Sequence, residues 1–161
     1  MRELTELAER IAVRLVDRNE TVAVAESSSG GLVSAVLLAT PGASRFFVAG
    51  SVIYTQTARR SLLGITPEDM AGLQPATEPY AALLAKAARQ GAGTTWGLGE
   101  TGAAGPSGNR YGDPPGHSCM AAFGLHEVRR TVTTGSADRW ANMQDFARAS
   151  LAVLHEALMI V

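Results

Sequence analysis

The feature that most constrains the fold of this chain is an apolar run that leads into small polar residues, within Thr21–Leu32. The run Val22–Ala25 is typical of a short buried strand. It is followed by Glu26, three serines and two glycines, and then by the apolar run Leu32–Ala39, which predicts a helix. A strand that enters a helix through small residues brings backbone N–H groups and hydroxyls to a helix N-terminus. Such a place suits an anion or a developing oxyanion.

Two interpretations of the three serines, Ser27–Ser29, remain open at this point. Serine is a common N-cap residue, so the serines could do no more than begin the helix. Alternatively, one of them could be a nucleophile at the carboxyl edge of a sheet, where open α/β sheets bind their ligands. The rest of the chain has to decide between these interpretations.

Length and composition predict a globular protein with one domain over residues 1–161. Hydrophobic residues make up 46% of the chain and charged residues 18%, which argues against disorder. The net charge is −1 and no basic stripe is visible, so we expect no nucleic-acid partner. A single cysteine, Cys119, and the lack of a long apolar run predict a cytoplasmic protein with no membrane partner.

Hydrophobic periodicity and helix-end signals predict a β-α-β start and a terminal β-hairpin. This order indicates an α/β fold: a three-layer α/β/α single domain with a mixed β-sheet. The Gly- and Pro-rich segment Thr101–Gly116 is expected to be a long surface loop, which is usually functional. The predicted helices are a first helix around Leu4–Leu15, Gly30–Ala39, Thr55–Leu63, Pro67–Leu73, Thr77–Gln90 and a last one to Ala157; the predicted strands are Val22–Ala25, Phe46–Tyr54, Thr94–Gly99, His117–Gly124 and Glu127–Thr134.

Three segments in this order resemble the C-terminal domain of the CinA (competence/damage-inducible protein) family, which includes nicotinamide mononucleotide deamidases. The first is Ala25–Gly31, AESSSGG, where the family typically has A-E-S-C-T-G-G. The second, Pro41–Ile65, is similar to the family's P-G-S-S, aromatic strand, Y-S-N-E-A-K and L-L-G-V. The third, Glu100–Gly108, ETGAAGPSG, is similar to T-G-I-A-G-P-x-G and is followed by a strand like the family's K-P-V-G-T-V.

The resemblance implies an amidohydrolase that cleaves the carboxamide of nicotinamide mononucleotide and releases ammonia. It places the nucleophile on Ser27, the motif tyrosine on Tyr54 and the family's general-base lysine on Arg59. It implies no cofactor and no metal, a small nucleotide as ligand and a homo-oligomer, namely a dimer. It also assigns substrate binding to Glu26, Ser28, Ser29, Gly30, Gly31, Thr101, Gly102, Gly105 and Arg139.

Arg59 is the departure that matters most for this mechanism. A serine is a weak nucleophile until a neighbouring base takes its proton. Lysine can do this when burial lowers its pKa, but arginine keeps its proton in proteins. Three other bases are open: Tyr54 with its phenol beside Arg59, or Glu26 or His117 reaching Ser27 through the fold. The alternative is a catalytically impaired family member that binds a nucleotide-like ligand or a protein partner.

Glu100 is a second departure, because it puts a carboxylate directly before Thr101. A carboxylate at this place would disfavour an anionic phosphate unless an arginine paired with it. Arg59 and Arg110 are the expected partners. In the last helix, Asn142, Met143 and Gln144 stand where the family often has further arginines, so the expected phosphate clamp is weaker.

Overall fold

The computed structural model describes residues 2–160, which form a five-stranded mixed sheet with helices on both faces. The strand order is β2-β1-β3-β4-β5; β1 pairs in parallel with β2 and β3, and β3, β4 and β5 pair antiparallel. The elements are α1 (Arg2–Asp17), β1 (Val22–Glu26), α2 (Leu32–Leu38), β2 (Phe47–Val52), α3 (Gln56–Leu63), α4 (Glu78–Ala92), β3 (Trp96–Ala103), β4 (His117–Phe123), β5 (Glu127–Thr133) and α5 (Arg139–Met159).

The two faces of the sheet carry side chains of different size. Large side chains face the layer of α1, α2 and α5, where Trp96 is fully buried and donates its indole N–H to Glu20. Small residues face α4, on the other side of the sheet. Because side chains alternate along a strand, neighbouring residues such as Val24 and Ala25 belong to different cores. The predicted three-layer α/β/α domain with a mixed sheet is therefore confirmed.

Helix-end signals in the sequence are accurate where a polar side chain begins the helix. The Thr77 hydroxyl accepts the Tyr80 N–H at the start of α4, with Pro79 in the first turn. The Asp138 carboxylate accepts the Ala141 N–H at the start of α5, so Asp138 is the N-cap. Trp140, in the first turn of α5, is largely exposed to solvent.

Two sequence predictions are wrong. The segment predicted as the helix Pro67–Leu73 forms turns, in which Asp69 accepts both the N–H and the hydroxyl of Thr66. The predicted loop from Thr101 begins later, because β3 continues to Ala103. The reason is tertiary: Thr101 pairs with Cys119 and Ala103 with His117 in the ladder to β4.

Candidate active site

A cavity of about 260 Å³ opens where the parallel strands β1, β2 and β3 reach their carboxyl ends. This is the edge at which open α/β sheets bind ligands. Five of the residues predicted for the site line it: Ser27, Tyr54, Arg59, Thr101 and Gly102. The other predicted residues, Glu26, Ser28, Ser29, Gly30, Gly31, Gly105 and Arg139, lie outside its lining.

Ser27 is the first residue after β1 and is half-buried at the cavity. Its N–H donates to Glu100 Oε2 over 3.0 Å, which fixes the backbone of the turn. Within residues 2–160 its hydroxyl makes no hydrogen bond to another side chain. Ser27 therefore lines the cavity, and within the described residues no base is hydrogen-bonded to its hydroxyl.

The sequence led us to expect that Glu100 pairs with an arginine. Instead, Glu100 is buried beneath the turn formed by Ser27–Ser29, which we call the serine turn. Its Oε2 accepts the N–H of Ser29 over 2.9 Å in addition to that of Ser27. Its Oε1 accepts the hydroxyls of Ser28 and Ser118, the latter over 2.7 Å. The charge of this carboxylate is therefore balanced by amides and hydroxyls of the protein itself.

Glu26 is also buried, and its carboxylate lies at the N-terminus of α2. It accepts the N–H groups of Gly31, Val33 and Ser34 over 2.9, 3.1 and 2.9 Å. The residue at the N-cap position, Gly31, makes no side-chain cap, and its φ of +97° is one that glycine adopts readily. The cap of α2 is thus supplied by Glu26, and none of the three serines supplies it.

Arg59 and Tyr54 line the cavity but do not form the pair that the sequence suggested. The Arg59 guanidinium lies over the ring of Tyr80, 5.7 Å from its centroid. The hydroxyl of Tyr54 instead accepts a hydrogen bond from Arg139 over 3.3 Å. Arg139 also donates to the Gly105 carbonyl, so it ties the end of β2 to the loop after β3.

His117 is engaged away from Ser27. Its Nε2 lies 2.8 Å from the Ala76 carbonyl and 3.6 Å from Asp113 Oδ1. The Cys119 thiol lies near the same carbonyl, and burial raises the pKa of Cys119, which makes it a poor nucleophile. Both side chains thus contact the carbonyl oxygen of Ala76. Ala76 lines the cavity and has a left-handed conformation with φ of +60°.

Sequence reasoning missed the other cavity residues as members of the site. Tyr80 comes from α4, and Arg110 and Tyr111 come from the long loop after β3. Asn109 orders this loop by accepting the N–H groups of Tyr111 and Asp113. The length of the loop marked a functional segment without saying which residues face the site, and Arg110 was expected only as a partner of Glu100. Tyr80, in α4, had no such signal.

Fold and cavity together define an α/β/α domain with a serine and two arginines in a pocket at the carboxyl edge of its parallel strands. The family model described as the CinA C-terminal domain matches residues 4–158. This chain belongs to that family.

Several known proteins are similar to this chain. A CinA-like protein of Anaeromyxobacter sp. (strain K) is 37% identical over 153 residues, which are 95% of this chain and 38% of the relative. A CinA-like protein of Myxococcus xanthus is 37% identical over 122 residues, which are 74% of this chain and 29% of that relative. The chain therefore spans well under half the length of these curated relatives.

Solved structures of the family share the fold. A CinA superfamily protein from Enterobacter cloacae has a TM-score of 0.88 and 29% identity, over 96% of this chain and 92% of that one. The protein CihA from Agrobacterium tumefaciens has a TM-score of 0.88 and 27% identity, over 97% and 95% of the two chains. In the described residues of our protein, no helix is long and apolar enough to cross a membrane.

Proposed function

We propose that this domain binds nicotinamide mononucleotide and hydrolyses its carboxamide, with Ser27 as the nucleophile. One observation carries the proposal: Ser27 shares a cavity with Tyr54, Arg59, Thr101 and Gly102 at the ligand-binding edge of the sheet. Membership of the CinA C-terminal domain family supports the same reaction, because the resemblance implies it for the matching residues.

The reaction requires a base for the Ser27 hydroxyl. The Ser27 oxygen forms a bond to the carboxamide carbon, and the C–N bond breaks. The departing nitrogen takes up the proton that the base removed from Ser27 and leaves as ammonia. Water then hydrolyses the bond to Ser27 and releases the acid nucleotide. The ionisable side chains that line the cavity are three tyrosines and two arginines. Arginine cannot accept the proton, so we assign the base to the phenolate form of Tyr54, which follows the strand next to that of Ser27 and whose oxygen accepts a hydrogen bond from Arg139.

A second candidate is a family member that binds the nucleotide without hydrolysing it. The observation in its favour is that no lysine, histidine or carboxylate lines the cavity within residues 2–160. The aromatic and cationic lining would still suit a flat ring and an anionic group.

Ammonia release from nicotinamide mononucleotide by wild type, Ser27→Ala and Arg59→Lys distinguishes the two candidates. If Ser27 is the nucleophile, Ser27→Ala lowers the rate by roughly a thousandfold. Wild-type rates in Ser27→Ala would contradict the hydrolase proposal. Activity that appears only in Arg59→Lys would favour the second candidate, since a lysine at this place can act as the base that arginine cannot.

A further inference from the structure

Among residues 2–160, those that line the candidate cavity include two positively charged side chains and no negatively charged one. Arg59, from α3, and Arg110, from the loop after β3, both line it. Within residues 2–160 neither guanidinium is part of an ion pair with a carboxylate; each lies instead against a tyrosine ring, Tyr80 and Tyr111 respectively. Within the part of the chain that the structure describes, both guanidinium groups are therefore free to pair with an anionic ligand.

Three carboxylates close to the serine turn and the loop after β3 are already used elsewhere. Glu26 and Glu100 are buried and hydrogen-bonded to amides and hydroxyls of the serine turn and α2. Asp113 accepts the side-chain amide of Asn109 over 2.8 Å and lies near His117. None of these groups lines the cavity, so none neutralises Arg59 or Arg110 there.

Three backbone amides between Ser27 and Gly31 are also used. In many α/β proteins the N–H groups after the first strand hold a ligand anion. Here the N–H groups of Ser27 and Ser29 donate to Glu100, and that of Gly31 donates to Glu26. Among the described residues, the charged donors left for a ligand anion in this cavity are therefore the two guanidinium groups.

We infer that the cavity prefers the acid form of the pyridine mononucleotide, with its carboxylate on Arg59 and its phosphate on Arg110, over the carboxamide form. The inference rests on the proposed nucleotide pocket and adds which form the pocket selects. A guanidinium offers only donors, and a carboxylate offers two charged acceptors in matching geometry. A carboxamide offers one neutral acceptor and turns an NH₂ donor towards the same group.

Calorimetric titration of nicotinate mononucleotide and nicotinamide mononucleotide into wild type, Arg59→Gln and Arg60→Gln tests the inference. Arg60 is the matched control, because it lies next to Arg59 on α3 and is exposed outside the cavity. Each titration is repeated in proteins that also carry Ser27→Ala, so that turnover of the amide cannot generate the acid. A further titration with Arg110→Gln measures the contribution of Arg110 to binding of the phosphate.

We expect wild type and Arg60→Gln to bind the acid about tenfold or more tightly than the amide, which is the difference between a charge-assisted and a neutral hydrogen bond. Arg59→Gln should lose this preference and retain its affinity for the amide, and Arg110→Gln should weaken both ligands by a similar factor. Equal affinities in wild type, or a preference that persists in Arg59→Gln, would overturn the inference and leave the nucleotide pocket standing. Failure of both nucleotides to bind wild type would overturn the proposed ligand as well.

Discussion

The Ser29 hydroxyl lies 2.7 Å from Glu26 Oε1 and 2.9 Å from Glu100 Oε2, although it has one proton to donate. It can therefore donate to only one of the two carboxylates at a time. Both carboxylates have other donors, so each stays hydrogen-bonded when Ser29 donates to its neighbour. Ser29 thus connects Glu26, which caps α2, to Glu100, which accepts the Ser27 N–H, in one buried network.

Glu26→Gln should lower the free energy of unfolding by about 2 kcal/mol, because a buried N–H group is left without an acceptor. The glutamine NH₂ would have to face either the amides of Gly31 and Val33 or that of Ser34. Urea unfolding at neutral pH measures the change. Glu156→Gln is the control: it removes an exposed partner of Arg130 and should cost less than about 1 kcal/mol. Equal losses in the two variants would argue against the role of Glu26 as the cap.

At the residue scale, the sequence predicts those site residues that follow directly from strands. Ser27 could be placed at the carboxyl edge because β1 is a recognisable strand that ends just before it, and the family resemblance added Tyr54, two residues beyond the end of β2. Arg110 and Tyr111 could not, since their approach to the cavity depends on the turn that Asn109 makes within an irregular loop. The burial of Glu100 could not be predicted from sequence either, because its hydrogen-bond donors come from the serine turn and from β4.

At the scale of elements, α4 lies unusually close to β3 because the strand presents glycines to it. A Cβ atom added at Gly97 would lie 1.9 Å from the Ala85 carbonyl oxygen, and one at Gly99 would lie 2.1 Å from that of Ala81. Both clashes are with helix backbone, which cannot move aside without shifting α4. These glycines therefore set the spacing between α4 and the sheet.

Gly99→Ala should destabilise the protein by about 3 kcal/mol, since overpacking at a backbone contact forces the helix away from the sheet. Gly91→Ala is the matched control within α4, where an added Cβ meets nothing within 4 Å. This control should raise the stability by about 0.5–1 kcal/mol through helix propensity. Thermal unfolding of both variants checks the prediction, and a Gly99→Ala protein as stable as wild type would refute the close contact.

The C-terminal end of β3 could not be predicted from the local sequence. Thr101–Ala103 reads as the start of a loop because glycine disfavours strands and the Gly- and Pro-rich segment follows it. The ladder to β4 nevertheless includes all three residues. Pairing with β4, which comes later in the chain, outweighs the local preference for a loop. The residues around Thr101 do not indicate this pairing by themselves.

At the scale of the whole molecule, the contact of α5 with α1 makes stability depend on pH. Burial and the positive charges of Arg10 and Arg14 lower the pKa of His155 below its ordinary value. The unfolded chain therefore binds a proton more readily than the folded protein, so stability is lost as the pH falls through about 6.5, the ordinary pKa of histidine.

His155→Gln should flatten the decline of the unfolding free energy between pH 7.5 and 5, since it removes the group that titrates between the two states. Denaturant titrations at several pH values measure the slope. His126→Gln, at the turn between β4 and β5, is the control and should leave the slope as in wild type. An unchanged slope in His155→Gln would contradict the assignment.

The dimer that the family resemblance implies stays a prediction. The edge strand β2 carries exposed Val48 and Val52, and Leu38 is exposed at the end of α2. These apolar side chains are available to a partner, and sequence could not have identified them, because an apolar strand residue reads as buried until the sheet order is known.

The two tryptophans provide two separate optical signals. Trp96 is fully enclosed in the core, with its indole N–H bonded to Glu20, so its fluorescence should be emitted at short wavelength and resist quenching by iodide. Trp140 is 57% exposed and follows directly on Arg139, which contacts Tyr54 at the cavity. Emission from the first reports on the integrity of the sheet, and quenching of the second reports on the first turn of α5. Loss of the core and changes at the start of α5 can thus be followed in one unlabelled sample.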